Sequence, residues 1–206
     1  MSRILAVGDI HGCLDKLKKL MDVIKWRPDE DTLIFIGDYV DRGPDSSGVI
    51  EYIIGLKKKS DRVICLMGNH EILFMDYLEG KENRVFLFNG GVQTLDSYGG
   101  MELELPETHM DFLHTLQPYY QTKNYIFVHA GLRDNIPLGR QNLKDLLWIR
   151  EEFIASHYDH GRRVIFGHTP YPMPLVHDNK IGIDTGAVYG GELTCLELPG
   201  VIFYAV

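Results

Sequence analysis

The stretch LIFIGDYVDRG, residues 33–43, runs from four large apolar residues straight into a turn that carries two aspartates and an arginine. A short, continuous apolar run bounded by a turn is typical of a strand that is buried on both faces. Asp38 is then the first charged side chain beyond the end of that strand. The stretch ILAVGDIHG, residues 4–12, repeats the arrangement, with Asp9 in the corresponding place. Two buried strands, each followed by an aspartate, therefore define the start of the fold.

The segments that follow these two strands have the periodicity of helices. Apolar side chains recur at helical spacing over residues 14–24, with lysines and aspartates on the other faces, and again over residues 49–54. Ser46 or Ser47 is able to cap the start of the second helix. A third apolar run at residues 63–67 completes a βαβαβ unit in the first half of the chain.

The rest of the chain continues as a mixture of strands and helices. A helical stretch is predicted around residues 143–156, and short helices are predicted over about residues 77–118. No internal repeat, linker or low-complexity tract interrupts the sequence, so we predict one α/β domain over residues 1–206, with paired strands at its end. The further predicted strands are residues 125–128, 164–166, 181–183, 193–198 and 201–206.

The composition is that of an ordinary globular protein with an acidic balance. Of its 206 residues 45% are hydrophobic, and the net charge of −8 argues against a nucleic-acid surface, which needs clustered Lys and Arg. The one basic run, residues 57–59, closes a helix whose dipole it complements. No apolar run approaches the ~20 residues of a membrane span. Cys13, Cys65 and Cys195 are too scattered for a disulfide framework or zinc knuckle, so we expect a cytoplasmic protein.

Five polar residues share one position relative to the predicted strands. Each falls one to three residues after the end of a strand. In open α/β sheets, ligands bind outside the carboxyl ends of the strands, so these side chains are expected to converge on one site. The five are Asp9, Asp38, Asn69, His129 and His168.

The residue types in these turns are those of a metal site. Asp9 and His11 are two residues apart, so in extended chain both side chains point to the same side. A carboxylate with an imidazole suits a divalent ion such as Mn, Fe or Zn, and the two oxygens of Asp38 could bridge a pair of cations. Arg42 offers a planar guanidinium that matches phosphate oxygens. His70 is expected to point in a different direction from its neighbour Asn69 and is therefore free for proton transfer.

Each motif also has an ordinary structural explanation. A single Asp or His after a strand is often a turn former, and Asp41 with Arg42 could be a surface ion pair. Arg150, in the sequence LWIR, likewise admits either a structural or a functional explanation. It is the joint occurrence of the motifs in one order that favours a site. The structural explanation is kept for the three cysteines and for His109, His114, His157, His160 and His177.

Taken together, the motifs GDIHG, GDYVDRG, GNHE, HAG, GHT and IDTGA resemble those of the phosphoprotein phosphatase (PPP) family of calcineurin-like metallophosphoesterases. The stretch IDTGAVYGGELT, residues 183–194, is similar in particular to the small bacterial and bacteriophage-lambda type of serine/threonine protein phosphatase. The resemblance implies a β-sandwich flanked by helices, in αββα layers, although the strands alone could also form a plain doubly wound sheet. Residues 77–118 would be a helical segment that shapes specificity.

The resemblance assigns roles to ten residues. Six would hold two divalent metals that share Asp38: Asp9, His11 and Asp38 for the first, and Asp38, Asn69, His129 and His168 for the second. His70 would be the general acid, oriented by Asp41. Arg42 and Arg150 would bind the phosphoryl oxygens, and the match of Arg150 rests on its place after the LW dipeptide. Manganese is the expected metal, with Fe, Zn or Co as alternatives that the ligands tolerate.

These roles predict a hydrolase for phosphate esters. Two cations ~3.5 to 4 Å apart can share a hydroxide that attacks phosphorus directly, without a phospho-enzyme. The expected substrate is a phosphoserine or phosphothreonine protein or peptide, because the pair of Asp41 and His70 supplies the proton that a poor leaving group needs. Symmetrical diadenosine tetraphosphate hydrolysis is the alternative. A nuclease and a catalytically silent docking module rank below both, and the oligomeric state is left open.

Overall fold

The computed structural model describes residues 3–81 and 84–206. Its strands are β1 (Ile4–Val7), β2 (Thr32–Phe35), β3 (Val63–Cys65), β4 (Tyr119–Gln121), β5 (Tyr125–Val128), β6 (Arg163–Phe166), β7 (Leu175–Val176), β8 (Lys180–Gly182), β9 (Thr194–Leu198) and β10 (Ile202–Ala205). Its helices are α1 (Leu14–Ile24), α2 (Ser46–Lys57), α3 (Asn69–Leu78), α4 (Arg84–Phe86), α5 (Val92–Ser97), α6 (Glu107–His114), α7 (Leu143–Trp148) and α8 (Glu151–Ile154). A π-helical turn, Leu87–Gly91, joins α4 to α5.

The strands form two five-stranded sheets, in the orders β10-β9-β1-β2-β3 and β4-β5-β6-β8-β7. In the first sheet β1, β2 and β3 are parallel, and β9 and β10 add an antiparallel edge. In the second sheet β5, β6 and β8 are parallel, with antiparallel strands at both edges. The antiparallel end of the chain that the sequence predicts is therefore confirmed, whereas the plain doubly wound sheet is not what forms.

The two sheets pack face to face. Apolar side chains of both sheets, among them Ala6, Ile34, Phe127, Ile165 and Leu196, form one buried cluster between them. A second cluster joins the outer face of the first sheet to α1, α2, α3 and α6, and a third joins the outer face of the second sheet to α7 and α8. The fold is therefore helix, sheet, sheet, helix, which confirms the predicted β-sandwich flanked by helices.

Several local predictions need correction. The predicted helix at residues 143–156 is two short helices, because Ile149 is extended and Arg150 (φ −128°, ψ −102°) is not helical. The cap of α2 is Asp45, whose carboxylate accepts from the Gly48 N–H at 2.8 Å, and neither Ser46 nor Ser47. The short strands β4 and β7 were not predicted. Short helices do form within residues 84–118, as expected.

Other predictions concern groups outside the strand ends. The three thiols are free, and those of Cys65 and Cys195 are buried in the core, as a structural role requires. His109 is also buried and bonds to Tyr98 and Glu51. Among the helices of the described ranges, none has the length and apolarity needed to cross a membrane.

Candidate metal centre

The carboxyl ends of the parallel strands of both sheets carry the polar residues that the sequence singles out. Asp9 follows β1, Asp38 follows β2, and Asn69 begins α3 after β3. His129 and His168 follow β5 and β6 in the second sheet. All five side chains are buried: their exposed fractions lie between 0% and 5%. The two sheets thus bring these residues to one interior cluster.

The backbone is strained at this cluster. Five residues other than glycine have φ in the left-handed region: His11 (45°), Asp38 (54°), Asp41 (72°), Arg42 (69°) and His168 (63°). Side chains rarely adopt this conformation, which costs about 1–3 kcal/mol per residue when the surroundings must enforce it. Such outliers gather at functional sites, and here they follow three different strands.

Asp38 lies at the centre of the cluster. Its Oδ2 is 3.4 Å from Nε2 of His11, and its Oδ1 is 3.4 Å from Nε2 of His129. Burial alone would raise the pKa of Asp38, but the facing histidines outweigh it and hold the pKa below its usual range. Asp38 therefore offers one ionised oxygen to each side, as a ligand shared between two cations must.

Two groups of possible metal ligands share Asp38. In the first, ligand atoms of His11, Asp38 and His70 lie within 4.8 Å of one another, and in the second those of Asp38, His129 and His168 do. The second group matches the proposed second shell, to which Asn69 adds its Oδ1, 2.9 Å from Nε2 of His129. The first group contains His70 where the proposed first shell has Asp9.

The histidines are prepared as neutral ligands. Nδ1 of His11 donates to the Val40 carbonyl at 2.7 Å and Nδ1 of His129 to the Ile36 carbonyl at 3.0 Å, so each Nε2 keeps its lone pair for the cluster. Burial lowers the pKa of His11 to about 3 and that of His168 to about 2. Nε2 of His11 accepts from the Arg42 guanidinium at 2.6 Å and thus already faces a cationic group.

Two buried polar atoms of the cluster fit a cation. Oδ1 of Asp9 and Nε2 of His168 have no hydrogen-bond partner within residues 3–81 and 84–206. The other oxygen of Asp9 accepts from the His168 N–H at 3.0 Å, so the two residues are already tied together. Burial and then the charges of Asp184 and Asp38 raise the pKa of Asp9. Buried carboxylates that repel one another, beside an unsatisfied imidazole nitrogen, are stabilised by bound metal.

Asp184 is a site residue that sequence reasoning missed. It follows β8, the third parallel strand of the second sheet, and its carboxylate lies buried near Asp9. Burial raises its pKa to about 6, while the N–H of Gly186 donates to its Oδ1 at 3.0 Å. The strand-end rule that found the other residues applies to Asp184 too, because the motif IDTGA begins just after β8.

His70 and Asp41 form a second layer around the cluster. Nδ1 of His70 lies 2.6 Å from Oδ2 of Asp41, and Nε2 lies 3.9 Å from Oδ2 of Asp38. Burial raises the pKa of Asp41, against the hydrogen bonds from His70 and Thr94. The imidazole thus has one nitrogen fixed by a carboxylate and the other turned to the metal ligands.

Glu71 supports the turn that carries Asp38. Its Oε2 accepts from the N–H groups of Asp38 and Gly68, each at 2.9 Å, and its Oε1 accepts from that of Tyr39 at 2.7 Å. Burial and the charge of Asp38 raise the pKa of Glu71 to about 8. Glu71, in the first turn of α3, therefore ties the start of that helix to the turn that follows β2.

Two arginines stand at the rim. Arg42 is half-buried, and its guanidinium lies 5.5 Å from the ring centroid of Tyr189. Arg150 is exposed at the break between α7 and α8, where Nη1 donates to Thr169 Oγ1 at 3.3 Å. Burial lowers the pKa values of His129 and His168, and the positive charge of Arg150 lowers them further. The charges of both arginines therefore act on histidines of the same cluster, from two different loops.

A cluster of Asp, His and Asn ligands at the strand ends of a two-sheet sandwich defines a metallophosphoesterase. The sequence profile of the calcineurin-like phosphoesterase family matches residues 2–198, and the chain belongs to that family. Family members hold a dinuclear divalent metal centre, for which the histidine and aspartate groups of this chain are suited. The resemblance to calcineurin-like metallophosphoesterases that the motifs indicated is therefore confirmed, and the protein is a phosphoester hydrolase.

Relatives of two kinds resemble the chain over nearly its full length. A bis(5'-nucleosyl)-tetraphosphatase PrpE [asymmetrical] of Oceanobacillus iheyensis is 27% identical, over 99% of this chain and 92% of the relative. Serine/threonine-protein phosphatase 1 of Salmonella typhimurium is 29% identical, over 95% of this chain and 91% of the relative. A crystal structure proposed to be that of a diadenosine tetraphosphatase has the same fold, with TM-score 0.81, 24% identity, and coverage of 100% of this chain and 93% of that one.

Proposed function

We propose that this protein is a phosphomonoesterase that removes phosphate from phosphoserine and phosphothreonine in proteins or peptides. The observation that carries the proposal is the buried pair of Asp41 and His70, 2.6 Å apart, beside the ligands of the metal centre. An alkoxide leaving group needs a proton in the transition state, and a positioned acid typically contributes 10²- to 10⁴-fold. The 29% identity to a serine/threonine-protein phosphatase supports the same substrate class.

For the two metal ions we propose the ligands that the motifs predict. Asp9, His11 and Asp38 would hold the first ion, and Asp38, Asn69, His129 and His168 would hold the second. When bound, two divalent cations supply positive charge for the phosphoryl oxygens and lower the pKa of water toward neutrality. The ligand types tolerate Mn, Fe, Zn or Co, and we propose Mn as the activating ion.

His70 would donate the proton to the leaving group. Asp41 binds Nδ1, which leaves the Nε2–H as the donor on the side of the metal ligands. Burial alone would lower the pKa of His70, but Asp38 and the hydrogen bond with Asp41 raise it above its ordinary value. Both interactions stabilise the protonated form that a general acid needs.

Arg42 and Arg150 would bind the phosphoryl oxygens. Each guanidinium carries a planar set of N–H donors that fits two oxygens of a phosphate at once. They project from different loops, one after β2 and one between α7 and α8, and would bind the phosphoryl group jointly. Their charge offsets the carboxylates of the cluster and attracts phosphate to an acidic protein.

A second candidate is the hydrolysis of a dinucleoside tetraphosphate. Several relatives carry that activity in their names, in the asymmetrical form, whereas the alternative expected from the motifs is the symmetrical form. The rim also offers exposed aromatic faces: Tyr189, 64% exposed, beside Arg42, and Trp148, 38% exposed, whose ring is 6.0 Å from that of His168. Nucleobases stack on such faces. A nucleotide leaving group, however, has little need of the Asp41 and His70 pair.

One substrate panel separates the two candidates. We would measure kcat/KM with Mn²⁺ for phosphoserine, phosphothreonine and phosphotyrosine peptides and for diadenosine tetraphosphate. Phosphoserine and phosphothreonine peptides should be preferred. A hundredfold preference for the dinucleotide, about 2.7 kcal/mol in transition-state binding, would replace the proposal with the second candidate. Its products would then show the mode of cleavage, since two ADP result from symmetrical attack and ATP with AMP from asymmetrical attack.

A further inference from the structure

Asp41 and Arg42 are held in place by a segment about fifty residues further along the chain. Both residues have left-handed backbones, with φ of 72° and 69°. Their two N–H groups donate to that segment: Asp41 N to Thr94 Oγ1 at 2.8 Å, and Arg42 N to the Gly90 carbonyl at 2.9 Å. Consecutive strained residues are thus fixed by consecutive bonds from the π-helical turn and α5.

Thr94 also binds the side chain of Asp41. Its hydroxyl donates to Oδ1 of Asp41 at 2.7 Å, while Oδ2 of the same carboxylate faces Nδ1 of His70 at 2.6 Å. Thr94 is completely buried, and its Oγ1 also lies 3.0 Å from Oγ of Ser46. One hydroxyl therefore fixes both the backbone and the rotation of the carboxylate that orients His70.

Gly90 makes an equally close approach to Arg42. Its own φ of 99° is a conformation that other residues rarely adopt. A Cβ at this position would lie 2.6 Å from Cγ and 2.7 Å from N of Arg42, so any side chain would push Arg42 away. The carbonyl that holds the Arg42 N–H is thus available only because residue 90 is glycine.

We propose that Gly90 and Thr94 form a clasp that positions the catalytic turn: Thr94 aligns Asp41 with His70, and Gly90 aligns Arg42 with the phosphate. They are positioning residues, since neither needs to touch the substrate. The proposal rests on the proposed acid role of His70 and phosphate role of Arg42. It gives part of the helical segment at residues 77–118 a function in the chemical step, in addition to any effect on specificity.

The part of the proposal in which Thr94 aligns Asp41 with His70, here called the Thr94 half, is tested by how strongly the rate depends on the leaving group. Thr94→Val keeps the shape but removes the hydroxyl, so kcat for a phosphoserine peptide should fall about 10- to 100-fold. With p-nitrophenyl phosphate, whose leaving group needs no proton, the loss should stay within about threefold. Thr94→Ser restores the hydroxyl and should recover both rates. Ser97→Ala is the matched control, because Ser97 joins the same helix to Ser47 without contacting Asp41.

The outcomes are separable from a failure of the proposed function. His70→Asn, measured beside Thr94→Val, reports whether the acid discriminates between the two substrates at all. If it discriminates and Thr94→Val loses equally on both substrates, or loses nothing, the Thr94 half is wrong. If His70→Asn itself shows no discrimination, the acid role fails and the Thr94 half falls with it. A leaving-group effect in Ser97→Ala as large as that in Thr94→Val would also overturn the proposed role of Thr94.

The other part of the proposal, in which Gly90 aligns Arg42 with the phosphate, has a measurement of its own that does not depend on the acid role of His70. Gly90→Ala should raise KM for both substrates, and the inhibition constant of inorganic phosphate, about tenfold, because Arg42 is displaced from the phosphoryl oxygens. Gly99→Ala is the matched control, since Gly99 has a similar φ of 96° but, among the described residues other than its chain neighbours, none has an atom within 4 Å of an added Cβ. Unchanged phosphate inhibition in Gly90→Ala, or an equal rise in Gly99→Ala, would overturn this half.

Discussion

Nδ1 of His70 lies 2.6 Å from Oδ2 of Asp41, and the two side chains are 1% and 0% exposed. The pair sits between the metal ligands and the clasp, because Asp38 faces the other nitrogen of His70 and Thr94 binds the other oxygen of Asp41. A carboxylate in this place fixes the tautomer of the imidazole and stabilises its protonated form. In the proposed mechanism this protonated imidazole would deliver the proton to the leaving group.

The first prediction concerns this pair. His70→Asn should lower kcat for a phosphoserine peptide about 10²- to 10⁴-fold, and far less for p-nitrophenyl phosphate, since only the alkoxide needs the proton. Asp41→Asn should show the same selectivity with a smaller loss. Steady-state kinetics on both substrates provide the measurement. Equal losses on the two substrates would contradict the general-acid role.

Metal content separates the acid role of His70 from a ligand role. One possible ligand atom each of His70, Asp38 and His11 lie within 4.8 Å of one another, so geometry alone admits both roles for His70. If His70 is the acid, elemental analysis of His70→Asn should find the full complement of both metals. Loss of one equivalent would make His70 a ligand in place of Asp9.

The second prediction concerns the shared ligand. Asp38→Asn should lower metal content and abolish measurable activity, because an amide has one oxygen and no charge with which to join two cations. Elemental analysis after purification with excess Mn²⁺ measures the loss. Asp96→Asn, on the exposed side of α5, is the control and should bind metal like the unchanged protein. Full occupancy in Asp38→Asn would show that the ligand set is wrong.

The third prediction concerns Glu71. Glu71→Gln replaces one accepting oxygen by an amide that faces backbone N–H groups, so it should destabilise the fold by about 2–3 kcal/mol. Metal affinity should weaken too, since the turn that carries Asp38 loses its support. Urea unfolding and metal titration are the measurements. Glu79→Gln, after the other end of the same helix, breaks an exposed pair with Lys81 and should change the free energy of unfolding little. Equal costs in both variants would refute the support role.

The sequence predicted eight of the ten strands and the strand-end residues, because both depend on short stretches of sequence. Continuous apolar runs such as residues 33–36 are buried strands in almost any context, and a polar residue after a parallel strand must lie at the carboxyl edge. The two-sheet arrangement came from the resemblance and not from the runs themselves. Strand order depends on contacts between distant segments, such as β1 with β9, which periodicity does not encode.

The wrong or missing predictions also arise from contacts and backbone conformations that the local sequence pattern does not reveal. The helix predicted at residues 143–156 breaks at Ile149 and Arg150, although no Gly or Pro marks the break. Ser46 looks like a helix cap, but its hydroxyl is used by Asp41 and Thr94. Asp184 could have been found by the strand-end rule. Thr94 could not, because a threonine in a short helix gives no sign of a carboxylate fifty residues earlier.

The last prediction concerns pH and lies outside the site. Asp31 is fully buried and binds Arg3 at 2.6 Å and Arg27 at 2.7 Å. Burial alone would raise its pKa, but the hydrogen bonds from Arg27 and Arg3 outweigh it and hold the pKa below the usual range. The pKa of an unfolded Asp is about 3.9, so this group stabilises the fold fully above that value. The contribution is then lost as pH falls toward the folded pKa.

Asp31→Asn should therefore reduce the free energy of unfolding by about 2–3 kcal/mol at pH 7. The difference from the unchanged protein should shrink steadily between about pH 5 and pH 2, as the carboxylate of the unchanged protein takes up a proton. Urea unfolding of the metal-free proteins at several pH values separates the contribution of the Asp31 carboxylate from the effect of metal release. Asp29→Asn, on the exposed side of the same turn, should change little at any pH. A difference for Asp31→Asn that stays constant down to pH 2 would mean that packing, and not the charge on Asp31, stabilises this corner of the fold.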